Sequence, residues 1–243
     1  LQPENSFWNS FRKMAKKDEN KATEFIENPE ALQEQLDKTS DFAQQNREII
    51  LGVIVGILAV VGGAFWYSTY QEDNENEAQQ ELFPAVFYFE KDSLGKALQG
   101  DGDNTTIGLE AVADEYSGTK AGNLANVYIG VAKLKEGQFD QAIDILSNFS
   151  ADDYLLQSRI HSLIGDAYME KEQYGDAISY YQKAVARYEN EQFTPIYLRK
   201  LALAQELSGD TQGATTSYQK IADDFKESNE FVYAKKMLTK LGK

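Results

Sequence analysis

The stretch HSLIGDAYMEKEQYGDAISYYQKA, residues 161–184, decides the fold. Its apolar and small residues recur at three and four, the period of an amphipathic helix, and the polar run KEQ divides it into two helices. Gly165 and Ala177 are small enough to let the two helices approach. Ala184 does the same, while Tyr168, Tyr174 and Tyr181 fill the space between the helices. The same arrangement stands earlier in the chain. LANVYIGVAKLKEGQFDQAIDIL, residues 124–146, places Gly130, Gly137, Phe139, Ala142 and Leu146 in equivalent positions. A weaker copy, YLRKLALAQELSGDTQGATTSYQKI, residues 197–221, carries Ala202, Gly209, Ala214 and Tyr218, and a last helix near residues 231–241 caps the stack.

Self-similarity at this period resembles the tetratricopeptide repeat (TPR), a helix pair that cannot bury its apolar face alone and stacks on copies of itself. The sequence therefore predicts an all-α chain whose residues 105–243 form a TPR-type α-solenoid, opened by a half-repeat at residues 107–116. Only four prolines interrupt a chain rich in straight-chain helix formers.

Upstream, residues 49–68 read IILGVIVGILAVVGGAFWYS without a charge. A helix of about 20 residues spans the roughly 30 Å hydrocarbon layer of a bilayer. Trp66, Tyr67 and Tyr70 stand where interfacial aromatics belong. Residues 49–70 are thus expected to form a single N-terminal transmembrane helix. Lys38 and Arg47 precede it and no Lys or Arg follows until Lys91. The positive-inside rule then leaves the N-terminus in the cytoplasm and sends the C-terminal domain across the inner membrane, into the periplasm of a Gram-negative cell. A cleaved signal peptide fits poorly, because a long polar segment comes first. Gly52 and Gly56 form a GxxxG spacing that would admit a partner membrane helix, although glycine is common in such segments.

Residues 1–48 form a cytoplasmic arm. Phe7, Trp8, Phe11, Met14 and Ala15 share one helical face, with Arg12, Lys13, Lys16 and Lys17 spread over the rest, as in a helix lying on an anionic bilayer or on a protein. Asn28 and Pro29 read as the start of a short helix carrying Leu32 and Leu36, and Ser40 as the start of one continuous with the span. Residues 71–104 are expected to be an acidic linker followed by an aromatic helix that packs on the repeats. Asp101 and Asp103 open like a calcium loop, but the sixth position is Thr106 and the twelfth Val112, where such a loop needs glycine and glutamate.

A formal net charge of −15 argues against nucleic acid, whose phosphates need clustered Lys and Arg. With no cysteine and His161 as the one histidine, most metal sites and His-assisted nucleophiles are excluded, and no phosphate-binding glycine loop is present. The acidic pairs Asp152 and Asp153, and Asp223 and Asp224, fall at helix boundaries, where capping explains them. The chain therefore reads as a binding protein and not an enzyme, with no cofactor and no metal. If the first helix of each pair lines the concave side, the candidate binding groove comprises Leu124, Val127, Val131 and Leu134, then Arg159, Asp166 and Met169, then Arg199 and Glu206. The first four have an alternative use, cover by the aromatic helix around residues 83–89.

The order of arm, span, FEKDSLGKALQGDG at residues 89–102, EYSGTKAGNLANVYIG at residues 115–130 and repeats resembles the YfgM-like family of ancillary SecYEG translocon subunits, in forms from Bacteroidota-type bacteria. The resemblance covers roughly residues 41–243, and the TKAGNLA segment, residues 119–125, is its most distinctive part. It implies a periplasmic TPR domain that contacts the SecYEG translocon and a membrane-anchored prolyl-isomerase-like chaperone and assists exported chains. It implies no catalytic residue, and the arm is longer than the family leads one to expect. A structural or assembly subunit of another envelope complex, in outer-membrane biogenesis, gliding or secretion, has the same sequence features.

Overall fold

The computed structural model describes residues 33, 39–40, 42–102, 105–150 and 153–242. The amphipathic helix expected of the N-terminal arm, the Leu32 and Leu36 positions of the short helix after it, Asp103 and Asp152 lie outside them. The described elements are all helical: α1 (Arg47–Glu90), α2 (Leu94–Gln99), α3 (Leu109–Glu115), α4 (Lys120–Lys135), α5 (Phe139–Ser147), α6 (Tyr154–Glu170), α7 (Tyr174–Arg187), α8 (Thr194–Ser208), α9 (Thr211–Asp224) and α10 (Glu230–Lys240). The chain forms two compact units, residues 1–68 and 69–243.

In the first unit, helical hydrogen bonding already runs through Asn46, whose N–H donates to the Phe42 carbonyl and whose carbonyl accepts from Ile50. The α1 residues that follow are long and apolar enough to cross a membrane, and no side chain of the apolar window is buried. Val60 is 72% and Phe65 75% exposed. A water-soluble core helix would hide such a face. A methyl group added at Gly52 or Gly56 would meet nothing within 4 Å.

The second unit begins inside α1. The acidic run at residues 71–81, expected as a linker, is instead a continuous part of this helix. Lacking glycine and carrying alanine at Ala78, it has no residue that would break a helix before Pro84, and even Pro84 removes only one helical hydrogen bond. Ala78, Leu82 and Ala85 form its buried stripe. They share a core with Ala97, Leu98, Leu109, Val112 and the Ala121, Ala125, Ile129 face of α4, and Phe89 meets Tyr128 edge to face at 5.2 Å. Glu75 fixes the register of this docking. Its carboxylate accepts from the backbone N–H of Lys120 at 2.6 Å and of Ala121 at 3.2 Å, the free donors of the first turn of α4, where the helix dipole also favours an anion. The aromatic end of α1 packs against α4, with Val86, Tyr88 and Phe89 partly buried against this core. The helical array starts ahead of residue 105, in the C-terminal half of α1.

The pairs α4/α5, α6/α7 and α8/α9 turn alike. Gly137, Glu172 and Gly209 each adopt positive φ (74°, 58° and 86°). The next N–H donates back across the turn, Gln138 to Lys133, Gln173 to Tyr168 and Asp210 to Gln205, so the last carbonyls of each first helix are satisfied. Five residues beyond each turn stands an alanine, Ala142, Ala177 or Ala214, with no exposure at all. Asp92, with φ 57°, makes the same turn between α1 and α2, and Ala97 follows it at the same distance. That hairpin is a repeat-like unit, truncated in its short second helix. Two further cores continue the stack, one of Val127, Leu146, Phe149, Ile160 and Ile164, the other running from Ala177 and Tyr181 through Tyr218 to Ala234 and Leu238. The α10 helix contributes Ala234, Met237 and Leu238 to the last of them.

Candidate protein-binding surface

First helices of successive pairs lie side by side. The α4 and α6 helices touch, as do α8 and α10. Between α6 and α8, Lys200 reaches Asp166 at 2.6 Å and Ser162 at 3.1 Å. In a helix-pair solenoid these helices form the inner, concave side, which serves as an extended binding surface.

The residues expected to line it divide into three groups. Val127 is buried in the core beneath, Leu124 and Leu134 are half-buried against that core, and Val131 is half-buried beside them. Leu124, Val127 and Leu134 hold α4 to its neighbours, because a continuous apolar stripe on a first helix faces both the groove and the adjoining helix. Asp166, Met169 and Glu206 are half-buried and engaged. Tyr181 donates to Asp166 at 2.7 Å and Tyr218 to Glu206 at 2.6 Å. Burial, reinforced by Asp166 beside Tyr181 and by the Glu206 hydrogen bond to Tyr218, holds both phenols far above their ordinary pKa, so they remain donors. Met169 packs against the C-terminal core. Arg159 is exposed, and Arg199 lies 4.0 Å from Glu230 with its guanidinium 5.8 Å above the Tyr233 ring.

Side chains that sequence reasoning did not select are the more available ones. Leu203 is 38%, Leu207 51% and Val232 74% exposed. Arg199 lies beside Glu230 and Glu206 beside Lys240, each at 4.0 Å, so α8 and α10 run in the same direction. Leu203 and Leu207 bracket Glu206 on α8, and Lys236 and Lys240 are exposed on α10. Leu203 and Leu207 of α8 and Val232 of α10 are thus exposed apolar side chains on helices that also carry exposed lysines, in a protein of net charge −15. The segment LALAQEL conceals this exposure, since Leu201 of the same run is buried and Leu203, two residues on, faces out.

His161 lies on α6 against Tyr180, with Nε2 3.4 Å from the Gln157 amide. Burial, with Lys183 and Arg187 nearby, lowers its pKa below the ordinary imidazole value. It has a packing role, and its depressed pKa gives a signed expectation. The unfolded chain takes up the proton first, so stability is full above the ordinary histidine pKa and falls as pH drops through the folded-state value. Thermal melts from pH 7.5 to pH 5 should fall further for the native chain than for His161→Gln, the difference isolating this group from the carboxylates.

Among the described residues no group of His, Asp and Glu is placed to hold a metal ion. Asp101, half of the calcium-like opening, accepts from the Thr106 N–H at 3.3 Å and closes a turn.

Stacked helix pairs, a shared turn and a lined inner side define a helical-repeat protein built to present a surface. Residues 94–206 match the tetratricopeptide repeat-like domain and residues 198–228 the tetratricopeptide repeat, so the chain carries TPR repeats, which are protein-interaction scaffolds. A crystal structure of nearly identical TPR-like repeats of a kinesin-light-chain-type protein from Podospora anserina is similar with a TM-score of 0.53 at 15% identity, covering 69% of this chain and 85% of that one. At that identity the likeness concerns the fold alone. No curated protein matches the chain in sequence.

Proposed function

We propose that this protein is a membrane-anchored TPR scaffold, held in the inner membrane by residues 49–70 with its solenoid in the periplasm, that binds proteins at the Sec translocon and organises chaperone help for exported chains. The anchor is supported by the uniformly exposed apolar helix and the orientation by the lysines and arginines flanking it. The SecYEG translocon and a membrane-anchored prolyl-isomerase-like chaperone are proposed as partners on the resemblance of the TKAGNLA region and the order of segments to YfgM-like proteins. The observation that carries a binding role is the exposure of Leu203, Leu207 and Val232 on the adjoining helices α8 and α10, which also carry the exposed Lys236 and Lys240.

Photo-crosslinking from Leu207, Val131, Arg159 and Arg199 in intact cells tests this reading. Translocon subunits should be captured from these positions, and Leu203→Glu with Leu207→Glu should remove most of the capture from Arg199. Stronger capture of the same proteins from exposed Gln182 on the second helix of a pair would displace the groove. Recovery of an outer-membrane assembly or gliding complex instead would assign the scaffold to that machine. The chain has no cysteine, so a single one introduced in the solenoid also reports its side of the membrane, through labelling by an impermeant maleimide.

A further inference from the structure

The second unit has another unpartnered face, on the opposite side of α1 from the stripe that docks on the repeats. Phe83 is 76% and Phe87 52% exposed, one helical turn apart. Lys91 stands 5.5 Å over the Phe87 ring, and Tyr88 meets that ring edge to face at 6.2 Å, yet half of the side chain still faces solvent. Asn76, Gln79, Gln80 and Phe83 line a shallow open depression alongside. A lone exposed phenylalanine would be ordinary, but two on adjacent turns make an apolar patch, and here they continue a regular line. Asp73, Asn76, Gln80, Phe83 and Phe87 follow one another at three, four, three and four residues, the spacing of a helix-pairing seam. Glu72 and Asp73 are exposed at its beginning, and no Lys or Arg occurs between Ser68 and Lys91 to neutralise them.

We infer that this face of α1 binds an amphipathic helix of a partner protein, one with an apolar seam over Phe83 and Phe87 and basic residues three to four turns away, opposite Glu72 and Asp73. A straight seam of this period fits a helix, whose own residues at the same spacing fill the holes between the two phenylalanines. The charge selects the partner. A second copy of this chain running the same way would set Asp73 against Asp73 and Glu72 against Glu77, like charges at the contact, whereas a lysine or arginine there meets complementary charge. The surface is distinct from the exposed leucines of α8, so it does not depend on the groove reading.

The full chain in phosphatidylcholine nanodiscs, with Gln80→Cys carrying an environment-sensitive dye, provides the assay. The probe is a three-heptad synthetic helix with Leu on the seam and Lys on its flanks. A matched peptide with Glu in place of Lys is the control. The Lys peptide should bind saturably and the Glu peptide should not. Phe83→Ala with Phe87→Ala should weaken binding by about tenfold or more, since most of the buried apolar area is theirs. Glu72→Lys with Asp73→Lys should reverse the preference between the peptides, a readout that mere damage to the fold would not give. Leu203→Glu with Leu207→Glu should leave binding unchanged. Equal binding of both peptides, or binding lost in the groove variant and kept in the phenylalanine variant, would overturn the inference. So would efficient disulfide formation between two undyed copies of the Gln80→Cys variant, which would make the face a self-association surface.

Discussion

Tyr218→Ala is expected to remove about 3–5 kcal/mol of stability from the last helix pair, the usual consequence of deleting a fully buried aromatic ring. The ring has no exposure, lies in the core shared by α7 through α10, and packs edge to face on Tyr233 at 6.1 Å. The hydroxyl contributes separately through its 2.6 Å bond to Glu206. Tyr218→Phe keeps the ring and loses only a hydrogen bond to a charged acceptor, at most about 1.5–3 kcal/mol. Circular dichroism melts read the difference. In a stack where each pair touches only its neighbours, the alanine variant should show an early transition for its C-terminal repeats, followed by the rest. A single transition shifted by less than that of the phenylalanine variant would contradict the core assigned here.

Gly165→Val is the second large effect, and its sign runs against helix propensity. Replacing glycine within a helix ordinarily adds up to about 1 kcal/mol of stability. A Cβ at Gly165 would lie 2.6 Å from the Tyr181 ring, which is 2% exposed and cannot withdraw without breaking its 2.7 Å bond to Asp166. Overpacking of this kind costs about 1–3 kcal/mol, and loss of the bond to the Asp166 carboxylate adds to it. Gly175→Ala is the control, because nothing lies within 4 Å of a Cβ there and the substitution should be neutral or stabilising. The third repeat shows why alanine is accepted at the corresponding Ala202. Tyr218 bonds to Glu206, one turn farther along α8, whereas Tyr181 bonds to the residue adjacent to its glycine and must lie directly over it.

The helix pairs between residues 124 and 221 are legible in the sequence because small residues and aromatics recur at positions where only close helix contact explains both. The α1–α2 hairpin is not. Its turn residue is Asp92 where two of the three other turns use glycine, and α2 stops before an aromatic can repeat the pattern. The surviving signal is Ala97, five residues past the turn. The groove is harder to read than the core. Apolar periodicity marks a face without saying whether a neighbour covers it, so Val127 reads as a groove residue and is buried, while Leu203, Leu207 and Val232 are exposed. Asp166 and Glu206 look like free charges in sequence, and only the fold brings a tyrosine to each. Gly52 and Gly56 lie on an exposed helix face, open to approach.

The recurring left-handed turn also bears on how such a chain can grow. A stretch copied from one turn to the next contains the second helix of one pair and the first helix of the following pair, together with the contact between them. Duplicating it in the gene would insert a unit whose two new joints repeat ones the chain already makes, which favours lengthening or shortening by whole periods over gradual change.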